Sequence, residues 1–123
     1  MMQELVGIVR KEEEMQRALE GIDRLWQRAA RVAVTGNREY NPGWHTALDL
    51  TNLLTVSEAV TRSALERKES RGAQFRDDYP AKDTDFGKIN VMVKKDTDGR
   101  MKVSREPIPE MRPELKQVIE EMG

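Results

Sequence analysis

Between about Glu12 and Val34 the apolar residues fall at Met15, Ala18, Leu19, Ile22, Leu25, Trp26, Ala29 and Ala33. Steps of three and four residues follow the 3.6-residue turn, so the spacing predicts one helix with a single apolar face over 12–34. The preceding stretch fits a short helix over 2–9, with Arg10 to Glu12 as a joint. Gly36 and Asn37 supply a stop. Asn41-Pro42 supplies a start, because proline is tolerated in a first turn, where its missing N–H has no partner to lose. Thr46 with Asp49 offers a second start of the capping-box kind. The helix that follows, over about 44–71, is apolar on two sides, with Leu50, Leu53, Leu54, Val60 and Ala64 on one and Leu48, Val56, Ala59 and Ser63 on the other. One side is expected to pack antiparallel on the Met15 to Ala33 face, and the other needs a further layer. Gly72 then takes the place of a left-handed C-cap, where the chain should leave the helix abruptly.

Beyond Pro80 the period changes from helical to alternating. Ile89, Val91 and Val93 alternate with Asn90, Met92 and Lys94, and Met101 and Val103 with Lys102 and Ser104, which predicts a β-hairpin over about 88–105. A three-residue Thr97-Asp98-Gly99 loop with Gly99 left-handed sets Val93 opposite Val103, whereas a two-residue loop would pair valine with polar neighbours. Such a hairpin is marginal alone and must lie on the helices. Pro113, Leu115, Val118, Ile119 and Met122 describe a short amphipathic helix over 112–122. The expected architecture is a single, mainly α domain over 1–123: an antiparallel helical hairpin or bundle, spectrin-repeat-like, with a small C-terminal β-hairpin and a short terminal helix.

Composition narrows the chemistry. The 21 basic and 22 acidic side chains leave a net charge of -1, which removes the long-range field that nucleic-acid binding needs. With no cysteine, disulfides, thiolate metal sites and cysteine nucleophiles are excluded. No run approaches the roughly 18 apolar residues of a membrane span, and no apolar signal region opens the chain. His45 is the lone histidine, so no histidine triad, relay or multi-histidine metal site can be assembled. The acids Glu12 to Glu14, Asp77, Asp78, Asp83 and Asp85 lack calcium-loop spacing and read as solvated charge. Trp26 and Trp44 read as core anchors.

One segment stands apart: Arg67-Lys68-Glu69-Ser70-Arg71-Gly72-Ala73-Gln74-Phe75-Arg76-Asp77-Asp78-Tyr79-Pro80, half of it charged, interleaves its charges with small and aromatic residues. An arginine fork held by carboxylates keeps its geometry when partly buried, so this pattern suits an ion network bracing a turn or meeting a neighbouring domain. The segment resembles the E-S-R-G-A-H-x-R-x-D-x-P signature in the C-terminal domain of succinate dehydrogenase and fumarate reductase flavoprotein subunits. Glu69, Ser70, Arg71, Gly72, Ala73, Arg76, Asp78 and Pro80 match, and Gln74 stands where the family usually has histidine. Gly7-Ile8-Val9-Arg10, Asn41-Pro42-Gly43-Trp44 and Ile108-Pro109-Glu110-Met111-Arg112-Pro113 are similar to further elements of that family.

The resemblance implies one domain of a longer subunit, since its start falls at an internal position of the family pattern. It implies FAD in the intact subunit and interconversion of succinate and fumarate. It also implies contacts with the flavin-binding and capping domains, an iron–sulfur partner subunit, and a cytoplasmic position at the inner membrane face through partner subunits. L-aspartate oxidase and adenylylsulfate reductase share the architecture. The family's G-x-G-x-x-G fingerprint is missing from this chain, so no catalytic, cofactor-binding or metal residue is assigned here, and the isolated chain is expected to be inactive. Glu69, Ser70, Arg71, Gly72, Gln74, Arg76, Asp78 and Pro80 are assigned a structural and domain-interface role. The alternative is a free-standing helical module whose second apolar face binds a partner helix.

Overall fold

The computed structural model describes Met1–Gly123 throughout. Its first long helix, α2 (Glu12–Ala29), follows a short α1 (Met2–Leu5) and a two-residue strand β1 (Val9–Arg10). Met15, Ala18 and Ile22 of α2 are buried, with Leu19, Leu25, Trp26 and Ala29 half-buried around them, so the predicted face is the packed one. The helix ends earlier than the periodicity predicts. Arg31 and Val32 bond back to Arg28 and Ala29, a tightened final turn, and the β-branched Val32 lies half in solvent. Ala33 continues the helical spacing but has no partner to reward it, and local propensity wins.

The first helix is likewise shorter than expected. Val6 bonds back to Met2, Gly7 turns the chain, and Val9–Arg10 leaves to pair in parallel with β2 (Phe75–Arg76), a partner far along the chain.

The second long helix, α3 (Pro42–Glu66), starts at the Asn41-Pro42 signal: the Asn41 side chain accepts from Gly43 N at 3.0 Å and donates to the Thr35 carbonyl. Thr46 turns its hydroxyl back onto the Pro42 carbonyl, as an interior threonine does, and no second start is used. The helix stops at Glu66, because Arg67 is extended (φ -84°, ψ 97°), well short of the expected Arg71. Gly72 is left-handed as predicted (φ 60°), but in a two-residue hairpin turn between Arg71 and Gln74 and not at a helix end.

The two long helices run antiparallel. Gln16 and Leu19 lie beside Arg62 and Leu65, and Trp26 lies beside Thr55 and Ala59. Val6, Met15, Ala18 and Ala64 form one core cluster with Met2, Leu5 and Leu65 packed against it, and Ile22 and Leu54 are buried outside it. Leu53 and Val60, which the spacing groups with the buried Leu54 and Ala64 on one side of α3, stand exposed with Val56.

A short 3-10 turn (Phe86–Lys88) leads into β3 (Ile89–Lys95), which pairs antiparallel with β4 (Met101–Pro107). Val93 faces Val103, Thr97 to Gly99 form the loop, and Gly99 is left-handed at φ 83°, all as the alternation predicts. The strands run two residues further than expected, to Pro107. Val93 and Met101 line a cavity together with Trp26 and Ala59, and both strands of the hairpin pack on α3. The last helix, α4 (Pro113–Met122), buries none of its residues.

Candidate functional site

The segment after α3 joins the ends of the two long helices. An α-helix leaves its last carbonyls and first N–H groups without internal partners. Arg76, which has no exposed surface, donates from Nη1 to the carbonyls of Ala64 (3.0 Å) and Leu65 (3.3 Å), closing the C-terminal end of α3. Its Nε donates to Asp78 Oδ1 at 2.8 Å and its Nη2 to Asp78 Oδ2. That second carboxylate oxygen accepts from Glu12 N (3.1 Å), the first amide of α2, whose own cap residue Lys11 contributes no side-chain bond. A cation thus sits at a helix C-terminus and an anion at a helix N-terminus, both complementing the helix dipoles. The Glu12 carboxylate lies 3.6 Å from Arg76 Nη2, and the Tyr79 ring covers the guanidinium at 4.9 Å. Through this pair the start of α2 is held to the end of α3.

Glu69 is the second anchor and is also fully buried. Its Oε1 accepts from Arg71 Nε (2.8 Å) and from Arg67 Nη1, and its Oε2 accepts from Asp83 N (2.8 Å). Arg67 continues to the carbonyls of Phe86 and Ile89, tying the network to the root of the β-hairpin. Arg71 reaches the Asp83 carbonyl, and the absence of a side chain at Gly87 makes room for it, since a Cβ there would lie 2.8 Å from Arg71 Nη2. Phe86 lies between the guanidinium groups of Arg67 (5.8 Å) and Arg105 (4.7 Å).

Hydrogen bonding sets the electrostatics. The Arg71 bond, helped by Asp83 N and Arg67, holds the Glu69 carboxyl down at about 2 against the opposing effect of burial. The Arg76 bond does the same for Asp78, also to about 2. Arg71 is raised in turn by its bond to Glu69. These acids are ionised at any physiological pH and are not proton donors.

Ser70 and Gln74 complete the turn. Ser70 Oγ accepts from Arg76 N and donates to the Tyr79 carbonyl, both at 2.8 Å. Gln74 Nε2 donates to the carbonyls of Arg67 (2.8 Å) and Glu69 (3.2 Å), while its Oε1 accepts from Arg10. An amide performs both tasks at once. Gly72 makes the hairpin turn, where positive φ at the first central position favours glycine, and Pro80 is exposed beyond Tyr79. The structure therefore brings Glu69, Ser70, Arg71, Gln74, Arg76 and Asp78 into one network and leaves Gly72 and Pro80 at its rim.

Sequence reasoning missed several members. Arg10, matched in the Gly7–Arg10 element, and Arg67, at the head of the segment, were given no place in the network. Glu12 and Asp83, read as solvated charge, are in fact structural. Asp83 accepts from the amides of Asp85 (2.7 Å) and Phe86 (3.2 Å) and so shapes the 3-10 turn. The Asx signal, an aspartate shortly before a turn, was available there.

Residues 1–118 match the family described as fumarate reductase flavoprotein C-term. The fumarate reductase flavoprotein subunit of Mycobacterium tuberculosis is 32% identical over 103 residues, 83% of this chain and 18% of the relative. The succinate dehydrogenase flavoprotein subunit of Coxiella burnetii is 41% identical over 83 residues, 67% of this chain and 14% of the relative. The solved structure of Mycobacterium smegmatis Sdh1 in complex with UQ1 superposes with a TM-score of 0.87 and 41% identity, covering 97% of this chain and 20% of that one. The chain belongs to the fumarate reductase flavoprotein C-terminal family, and it spans under a fifth of the length of these two curated relatives. No helix of the chain is long and apolar enough to cross a membrane. Of the three left-handed glycines, Gly72 and Gly99 sit in hairpin turns and Gly36 lies in the loop between α2 and α3, so none forms the direct strand-to-helix glycine turn that cradles a dinucleotide phosphate.

Proposed function

We propose that this chain is the C-terminal structural and docking domain of a succinate dehydrogenase or fumarate reductase flavoprotein subunit. The intact subunit binds FAD in its other domains and interconverts succinate and fumarate. It passes electrons to an iron–sulfur partner, and meets the cytoplasmic face of the membrane through partner subunits. This domain supplies none of the catalytic, flavin-binding or metal residues. A third layer from an adjoining domain, laid against the open side of α3, would make the helical pair spectrin-repeat-like.

One observation carries the structural role: Glu69 and Arg76 are fully buried, and every bond they make ends inside the chain. The Arg76 guanidinium closes the end of α3 and the Glu69 carboxylate holds the loop that follows it. The test is Arg71→Ala in the intact subunit, with flavin content, yield and steady-state kinetics measured together. Reduced yield and flavin retention with an unchanged KM for succinate are expected. Full flavin content with a greatly raised KM would place Arg71 at the substrate and refute the assignment. The 123-residue chain alone is expected to carry no flavin absorbance band after purification.

A further inference from the structure

A groove of about 620 Å³ runs between α3 and β3, its apolar lining including Ala59, Val60, Val91 and Met92 and its basic lining Arg10 and Arg67. Arg10 differs from the other arginines around it. Arg67, Arg71 and Arg76 each meet a carboxylate. Arg10 bonds only neutral oxygens, its Nε to the Gly7 carbonyl at 2.8 Å and its Nη1 to the Gln74 amide at 3.2 Å. Burial depresses its pKa, the mark of a guanidinium drawn from water without a counter-charge. The groove also does not end at Val60. Leu53, Val56 and Val60 follow one another at three- and four-residue steps, 64%, 61% and 40% exposed, so an apolar stripe leads directly into it.

We propose that groove and stripe together seat an acidic segment of the flavin-bearing part of the subunit, its carboxylate meeting Arg10 and its apolar neighbours covering Val60, Val56 and Leu53. This rests on the functional reading above and adds to it the surface and the chemistry of the contact. The buried centre of the signature network, Glu69 and Arg76, faces inward and is not that surface; only its members Arg10, Arg67 and Gln74 reach the groove. A cation without a counter-charge beside apolar lining selects an anion carried on an apolar body, and a small dicarboxylate would leave the stripe uncovered. Relatives have the chain to supply such a segment: this one covers only 20% of the Mycobacterium smegmatis subunit.

Hydroxyl-radical footprinting of Met92, which is 42% exposed in this chain, tests the seat. The full natural polypeptide containing these residues is compared with the 123-residue chain. In the flavin-loaded full polypeptide Met92 is expected to oxidise several-fold more slowly. Arg10→Gln and Val60→Asp should each abolish that protection and Arg10→Lys should restore part of it. Val60 is already part-exposed, so its variant keeps the fold where Arg10→Gln fails to fold. Equal oxidation rates with flavin bound would overturn the seat and leave the functional reading intact. A full polypeptide that binds no flavin would remove that reading, and the named occupant with it. Protection of the 123-residue chain through self-association, seen by sedimentation, would give the groove to a second copy, whose α4 also sets acids beside apolar residues. Protection by added succinate alone would make it a small-molecule site. Either result refutes the proposal.

Discussion

Glu69 and Arg76, in the segment after α3, have no exposed surface, whereas Leu115, Val118 and Ile119 of α4 each expose about half of theirs. Hydropathy alone would reverse the two. The difference lies in what each side chain meets. The charged groups have partners at fixed distances, among them helix-end carbonyls and an amide that would otherwise be unsatisfied, so their desolvation is compensated. The apolar face of α4 has an amphipathic pattern but no element of this chain laid against it. Charge is no bar to burial where every donor and acceptor is matched, and hydrophobicity gives no burial where no second surface exists.

The sharpest way to break this comparison is Arg76→Ala, which leaves Asp78 without its fork and two α3 carbonyls unpaired. A loss of about 3–5 kcal/mol is expected in urea unfolding. Arg76→Lys should recover little, because one ammonium cannot serve a carboxylate edge and two carbonyls together. A loss below about 1 kcal/mol for Arg76→Ala would mean that the network is ornamental. In the conventional core, Ile22→Ala or Leu54→Ala should cost about 2–5 kcal/mol by the same measurement. Less than about 0.5 kcal/mol at both would show the helix faces wrongly assigned.

Acid should act on the clamp specifically. Glu69 and Asp78 have folded values near 2, below their ordinary 4.5 and 3.8. Depressed values favour the folded state above the ordinary pKa, so their contribution is complete above about pH 4.5 and is lost as pH falls from there toward about 2. Stability measured across that window should fall, and Glu69→Gln should flatten part of the slope while lowering stability at neutral pH. The smallest effect is expected at the other pole. Val118→Ala should change the stability of the isolated chain by less than about 0.5 kcal/mol, and a larger loss would reveal a contact for α4.

What could be read from the sequence divides along the same line. The β-hairpin register was legible because the loop and the alternation constrain each other: only a loop ending on a left-handed Gly99 sets Val93 opposite Val103. The core face of α2 was legible because Met15, Ala18 and Ile22 recur at helical spacing. The start of α3 was written locally in Asn41 and Pro42. Its end was not, because Glu69 leaves the helix to reach Arg67, Arg71 and Asp83 N, a choice made by tertiary partners. The strand at Val9 was hidden for the same reason. The matched signature located the network, yet Arg10, Glu12 and Asp83 became members only through geometry, since nothing in residue type separates a solvated acid from one that shapes a turn.

The Asp78 bond to Glu12 N spans 66 residues of chain. Bringing those positions together means closing a long loop, and that entropy must be met before the contact returns anything. The β3–β4 hairpin closes locally and faces no such delay. The clamp is therefore expected to form late on the folding path, once α2 and α3 have already docked. Contacts absent from the transition state affect unfolding and leave folding nearly untouched. Arg76→Ala should then steepen the loss into the unfolding limb of a chevron and spare the refolding rate. The ion network at the helix ends sets how long the chain stays folded, not how quickly it gets there.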